Sequence, residues 1–417
     1  MFDSSLLEKP KNYDPGKYRM RTFHDARNAF IENTDTPRAY LERCLETIEQ
    51  LEPAIRAWVT LNSENARHAA DQSGLRYQRG QPLSPIDGMP LGIKDVLQTK
   101  DMPTELGSPI FKGRCTNLDS ASVNALRLAG CVIVGKTVTT EFAFLKPGPT
   151  TNPFDSGATP GGSSSGTSAA VGAGMVPAAL GNQVVGSIIR PASFCGNYAI
   201  KPTLGALHNG EGLSLSQLHL GVHAGSLDDV WAVAYQIALR AGGDPGYPGL
   251  YGPEEVSPPQ IPKSLIILET EGWTQCGEKT KQAFSRILEQ LKHQGVHIIS
   301  RHDDSTIDRF EQSIQESVTL CRILCSYEMR WALRNYSETG LLSEDLSLWL
   351  EMAEEMSPQD YRYALLKRDE MRSGFAAVSP LADAMITLSS VGPAPPLNHL
   401  SELEENYTAV ICTFTKL

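Results

Sequence analysis

Apolar residues first fall into a helical rhythm at Tyr40, Leu41, Cys44, Leu45, Ile48 and Leu51, one stripe down one face. Thr36-Pro37 opens that helix, with the threonine as its cap and the proline in its first turn. A second helix is predicted over 120–129, closed by Gly130. The apolar run Cys131-Val-Ile-Val134 then reads as a buried strand ending in Gly135-Lys136. Beyond Asp228 the pattern is helical to Ala241, and 242–262 is a glycine- and proline-rich connector. Strands are expected over 264–268, 296–300 and 385–388, and a helix over 278–293. Residues 307–375 read as mostly helical, broken at Ser357-Pro358. Helix and strand alternate, which predicts an α/β sheet rather than a bundle.

At 417 residues the chain can bury a large core, as one big domain or two to three smaller ones. A formal charge of −11 and a pI near 5.4 argue against nucleic acid or an anionic membrane as the main partner. No apolar run approaches the roughly 18 residues of a membrane helix. The first residues, with Asp3 and Glu8 and no apolar core, do not read as a signal peptide. Eight cysteines are ordinary usage at this length. Cys321 and Cys325 share a helix face, but no second pair completes a zinc set, so free, mostly buried thiols in a reducing cytoplasm are expected.

Residues 160–203 depart from the rest, placing glycine and serine where a buried core would place large apolar side chains. Ser163 and Ser187 each follow glycine, far from any histidine pairing motif. Glycine lets backbone N–H groups approach a substrate, and serine supplies a nucleophilic hydroxyl. A flexible linker is excluded because Ala169 to Gly181 reads as a helix and a strand. A phosphate loop would want glycine, lysine and serine in the Walker order, and no such Gly-Lys-Ser/Thr is expected here. Cys195 reads as a buried structural thiol rather than a nucleophile.

A serine nucleophile needs a base. Lys94 ends the apolar run Leu91-Gly-Ile93, an unusual place for a side chain that is nearly always exposed. At its ordinary pKa about one lysine in 2,500 is neutral at pH 7, but burial lowers that pKa and frees the amine. The bland alternative pairs Lys94 with Asp95 or carries its stem to water.

Taken together, these segments resemble the amidase signature family, serine amide hydrolases with a Ser–cis-Ser–Lys triad. The resemblance is continuous over 83–229. It rests on Gly92-Ile-Lys-Asp95, on 129–143, on Asn152-Pro153, on Pro160-Gly-Gly-Ser-Ser-Ser-Gly166, on 186–196 and on Lys201-Pro-Thr203. It implies a large mixed central sheet flanked by helices on both faces, one domain over 1–417 with its catalytic core at 83–229. It further implies that Lys94 is the base, Ser163 the bridging serine in a cis peptide, and Ser187 the nucleophile. Backbone N–H groups at Val184, Val185, Gly186 and Ser187 would hold the oxyanion. Such donors are worth about 2.7–4 kcal/mol each. The helix starting near Ser165 would aim its N-terminus at the site. The reaction implied is cleavage of a small carboxamide, acylamide or urea-like C–N bond through an acyl-enzyme. The partner is a small-molecule amide, with no cofactor, metal, nucleic acid or membrane, and the protein acts alone or as a homodimer. Substrate identity is expected from 307–375 and from the loop 146–155. His208, His219 and His223 either line that pocket or sit on loops without a role.

The common nucleophile segment of the family reads G-T-D-T-G-G-S-I-R. Here Gln183 replaces the acidic residue and the arginine falls one place later, at Arg190, as in a branch of the family. Val185 replaces a glycine and adds bulk beside the oxyanion donors. The chain stops at Thr413-Phe-Thr-Lys-Leu417, where family members run on. The sheet is therefore expected to be incomplete at its C-terminus, as a fragment or a rebuilt end. Two rival readings stand: a catalytically silent or truncated member, and the A subunit of a glutamine-dependent tRNA amidotransferase.

Overall fold

The computed structural model describes residue 16 and residues 19–397, except 211 and 214. Expectations for the first residues and for the chain's end lie outside the described residues. The first half runs α1 (His24–Ile31), α2 (Pro37–Ile55), β1 (Trp58–Leu61), α3 (Ser63–Gln78), β2 (Pro90–Lys94), α4 (Ala121–Leu128) and β3 (Val132–Thr137). It continues through α5 (Ser165–Gly172), β4 (Ala178–Gln183), α6 (Ile189–Phe194), β5 (Tyr198–Ile200), β6 (His219–Ala224) and α7 (Leu227–Ala241). The six strands form one mixed sheet in the order β1-β3-β2-β4-β6-β5. Strand β2 lies parallel to both neighbours, while β1, β6 and β5 pair antiparallel.

Helices cover both faces. Leu91, Ile93, Ile133 and Leu180 point into a core shared with α4 and α7. Val132, Val134 and Ala179 point the other way, towards α2, α3 and α5. Each fully buried aliphatic side chain contributes about 1.5–3 kcal/mol over its exposed state. Helix α2 starts as its sequence predicts: the Ala39 N–H donates to Thr36 Oγ1 at 3.1 Å, and Tyr40, Leu41, Cys44 and Ile48 are buried.

The glycine-serine stretch becomes α5, all eight of whose residues are buried. Small residues let this helix press against the sheet. A Cβ on Gly166 would lie 2.1 Å from the Ala57 carbonyl oxygen and 2.5 Å from the Val138 nitrogen. Only glycine fits there, and this contact fixes where Ser163 and Ser164 emerge at the N-terminal end of α5.

Past the connector come β7 (Ser264–Ile267), α8 (Glu278–His293), β8 (His297–Ile299), α9 (Ser305–Ser313), α10 (Ser317–Ser337), α11 (Glu344–Glu355), α12 (Pro358–Val378) and β9 (Ala384–Ile386). These strands do not extend the central sheet; they form a separate parallel sheet, β8-β7-β9. Parallel neighbours require helical crossovers, which α8 and the run α9–α12 supply. The single break expected in the helical region is one of three. Ser357 and Asp360 form the capping box at one, and the Ser343 hydroxyl caps α11 at another.

Candidate active site

Strand β2 ends on Lys94, which has no exposed surface. Its Nζ lies 2.7 Å from Ser163 Oγ, 2.6 Å from Asn182 Oδ1 and 3.3 Å from the Asn182 carbonyl oxygen. The expected alternative, pairing with Asp95, is not what the fold builds: Asp95 turns to Lys136, whose Nζ is 3.1 Å from Asp95 Oδ1. Among the described residues no carboxylate compensates Lys94, and burial pushes its ammonium well below the ordinary lysine value. The contacts suit a neutral amine. Its two N–H groups have the two Asn182 oxygens as acceptors, and its lone pair faces the Ser163 hydroxyl.

Ser163 follows a cis peptide from Gly162 and leads into α5. The loop is pinned on both sides: the Thr140 N–H donates to the Ser163 carbonyl at 3.2 Å, and Arg190 Nη2 donates to the Gly162 carbonyl at 2.6 Å. Ser187 sits in the turn between β4 and α6, 9% exposed. Ser187 and Ser163 line one cleft, as do Asn182, Val184 and Val185.

The turn that carries Ser187 is folded around Gln183. Gln183 Oε1 accepts the N–H groups of Ile188 at 2.7 Å and Ile189 at 3.0 Å, while its Nε2 donates to the Val185 carbonyl at 3.0 Å. An aspartate could accept but not donate. The amide at this position and the displaced arginine thus serve separate backbone contacts. Val185 is half-buried and lies outside the left-handed region, so its side chain brings no backbone strain. Among the described residues, no protein acceptor takes the N–H groups of residues 184–187.

The wall opposite comes from residues that sequence reasoning passed over. Phe142 and Ala143 adopt φ of 50° and 61°, left-handed backbone that bulky residues avoid and that costs about 1–3 kcal/mol each. They are held there by N–H groups donated to Leu106 O at 2.8 Å and Thr140 O at 3.0 Å. The resulting bend presents Phe142 and Phe144 to the cleft. The roof is Val318, Arg322 and Cys325 of α10 with Trp349 of α11, which packs edge-on against Phe144 at 4.7 Å between ring centroids. From 307–375, the cleft is thus lined by Val318, Arg322, Cys325 and Trp349. The loop 146–155 does not line the cleft, its place being taken by 142–145.

None of the three histidines lines it either. His219 and His223 are buried on β6 rather than on loops, and His208 accepts from the Gly210 N–H. His223 Nδ1 lies 3.1 Å from Asn197 Oδ1, and burial with the nearby Lys94 lowers its pKa to about 3. Cys195 is buried, its thiol pushed up to about 12 and 3.3 Å from the Pro160 carbonyl. Asn182 was legible only as a polar residue in a wholly buried strand.

A stretch outside the loop does spell the phosphate-loop pattern, Gly130 to Thr137, contrary to the expectation that none appears. The structure places its Gly135-Lys-Thr137 within buried strand β3, with Lys136 held by Asp95 and Thr104. Strand geometry offers no cradle for phosphate. Among the described residues no cluster of three or more His, Cys, Asp or Glu is placed to hold a metal, and no helix is long and apolar enough to cross a membrane.

The A subunit of the glutamyl-tRNA(Gln) amidotransferase of Chloroflexus aggregans is 41% identical over 203 residues, 47% of this chain and 40% of that protein. The chain thus spans about two fifths of the length of this curated relative. A solved amidase shares the fold at 24% identity with a TM-score of 0.81, over 95% of this chain and 90% of the other. A 6-aminohexanoate cyclic dimer hydrolase does so at 20% identity with a TM-score of 0.76, over 90% of this chain and 80% of its own. The family model described as Amidase matches residues 39–416, nearly the whole chain, and the chain belongs to that family.

Proposed function

We propose that this protein hydrolyses the C–N bond of a small linear amide through a serine acyl-enzyme. One observation carries the reading: a buried lysine with no counter-charge among the described residues, 2.7 Å from the hydroxyl of a serine that shares a cleft with a second serine. Neutral Lys94 accepts the Ser163 proton as Ser163 accepts that of Ser187, and Ser187 Oγ bonds to the amide carbonyl carbon. The backbone N–H groups of Val184, Val185 and Gly186 stabilise the oxyanion. The proton returns through Ser163 to the departing amine, and water then cleaves the ester. Gln183 and Arg190 support a place in the branch with a glutamine and a shifted arginine in the nucleophile segment. Its catalytic core is 83–229, within one amidase domain.

A fluorophosphonate probe with peptide mapping tests this. The expected result is one adduct on Ser187 that is lost in Ser187→Ala; folded protein without an adduct overturns the reading.

The identity to the A subunit of an amidotransferase favours a second reading, in which the chain releases ammonia from glutamine within an assembly. Stoichiometric co-purification with other subunits, together with L-glutamine turnover above that of any simple amide, would select it.

A further inference from the structure

Helix α12 meets its neighbours with one face and leaves another uncovered. Tyr361 and Leu365 pack towards α10, and Phe375 packs against Phe310 of α9 at 5.8 Å between ring centroids. The other face, residues 360, 363, 364, 367, 370 and 371, recurs at helical spacing and forms one wall of a groove. Residues 316, 319, 320 and 323, at the start of α10, form the facing wall, with the C-terminal end of α11 beside them. Of the 21 residues of α12 only Ala364 and Val378 are buried, and Tyr363 is 60% exposed. A helix in a folded protein draws most of its stability from an apolar face packed against a neighbour, so this face lacks the cover that such a helix ordinarily has. The apolar lining, Leu320, Ile323, Met352, Met356, Tyr363 and Met371, includes three methionines, side chains that adapt to what they bind. Around it stand four carboxylates, Glu316, Glu355, Asp360 and Glu370, against one ammonium, Lys367. Asp360 caps α12 and Glu370 pairs with Lys367 at 2.8 Å, while Glu316 and Glu355 are exposed. A second copy of this chain would bring the same acids, and a formal charge of −11, to the face. Like charges across an interface oppose that pairing and favour a cationic occupant.

We propose that this groove is a docking site for a cationic amphipathic helix of a partner protein. Such a helix carries apolar residues at i, i+3, i+4 and i+7 and lysine or arginine along the edges of that stripe. The stripe covers Tyr363 and the methionines, and the cations face Glu316 and Glu355. Helices α10 and α11 stand between the groove and the cleft: Val318, Cys325 and Trp349 line the cleft, and Leu320, Ile323 and Met352 line the groove. The occupant therefore touches the same two helices that roof the site.

The test uses three labelled peptides: leucine and lysine in that helical order, a scramble of the same composition, and the ordered peptide with glutamate for lysine. Binding to the full chain is read by fluorescence anisotropy at physiological ionic strength. The ordered cationic peptide is expected to bind about tenfold or more tighter than the scramble, and the glutamate peptide not to bind. Glu316→Gln with Glu355→Gln weakens it about fivefold, and Tyr363→Ala about tenfold. All three side chains are exposed, and thermal unfolding like that of wild type confirms that the variants fold. p-Benzoylphenylalanine placed at position 363 is then cross-linked by light, and an adduct with the ordered peptide is expected. An adduct with a second copy or with residues 398–417 of the same chain, undisplaced by the peptide, assigns the face to that occupant and overturns the proposal. Equal binding of ordered and scrambled peptides, binding of none, preference for glutamate, or folded variants that bind like wild type overturns it as well.

Discussion

Two lysines on neighbouring strands, both without exposed surface, have opposite fates. Lys94 pairs in register with Thr137, and Ile93 with Lys136. A register irregularity opposite Leu91 and Gly92 inserts one extra residue in β3 and turns Lys136 to the face away from Lys94. On its face Lys136 meets Asp95 at 3.1 Å, Thr104 Oγ1 at 2.7 Å and the Pro103 carbonyl at 3.1 Å. Burial pushes its pKa down and Asp95, its ion-pair partner, pulls it back. Lys94 has only neutral partners, and nothing offsets the cost of burying its charge. Burial alone does not decide a lysine's charge; burial without a counter-charge favours the neutral amine.

The comparison can be broken at either lysine. Lys94→Ala is expected to lower kcat by about 10³-fold or more, near the upper part of what a positioned acid–base group supplies. Its thermal unfolding should stay close to wild type, because the removed amine was stabilised by no opposite charge. Retained turnover would end its assignment as the base.

Lys136→Met should do the reverse. It leaves Asp95 as a buried carboxylate without a partner, which costs about 3–5 kcal/mol in a urea titration. The double variant with Asp95→Leu should recover much of that loss. If Lys136→Met is as stable as wild type, the pair has no structural weight.

Asn182→Asp converts the Lys94 environment into that of Lys136. In the proposed mechanism turnover requires the neutral amine, so it should fall as pH drops through the pKa of Lys94. A carboxylate at 182 favours the ammonium, raises that pKa and moves the acid limb of the kcat/KM profile upward by about one pH unit or more. Activity at neutral pH falls about tenfold and returns in alkali. An acid limb that stays in place would show that the neighbouring amide does not set the lysine's charge.

The smallest effect is expected at Gln183→Glu. The carboxylate keeps the two acceptor contacts to Ile188 and Ile189 but faces the Val185 carbonyl without a proton to donate. A fewfold loss of kcat is expected, about what one neutral hydrogen bond is worth. Labelling of Ser187 should persist. Unchanged kinetics would remove Gln183 from the support of the nucleophile turn.

Much of the site was legible in the chain. Lys94 stood out because a lysine does not end an apolar run by chance, and Ser163 and Ser187 because glycine precedes each where bulk should be. Asn182 and Gln183 were not legible as supports, since a polar residue in a strand carries no sign of its partner. Phe142 and Ala143 were hidden for a different reason. Their left-handed backbone depends on contacts to Leu106 and Thr140, which no local pattern encodes. His219 and His223 misled because a side chain's burial on β6 is settled by strand pairing with β4 and β5.

By itself the sequence determined the elements, through periodicity, caps and turns that act over a few residues. It also determined the small-residue helix α5, whose glycines permit one close approach to the sheet. Tertiary structure decided which face each lysine occupies, because a single inserted residue in β3 reverses it. It decided as well that α10 and α11, far along the chain, roof a cleft whose floor is β2 and β4. Charge and catalysis depend on what lies within a few ångströms, and only the fold brings residues 94, 163, 182, 187 and 322 to one place.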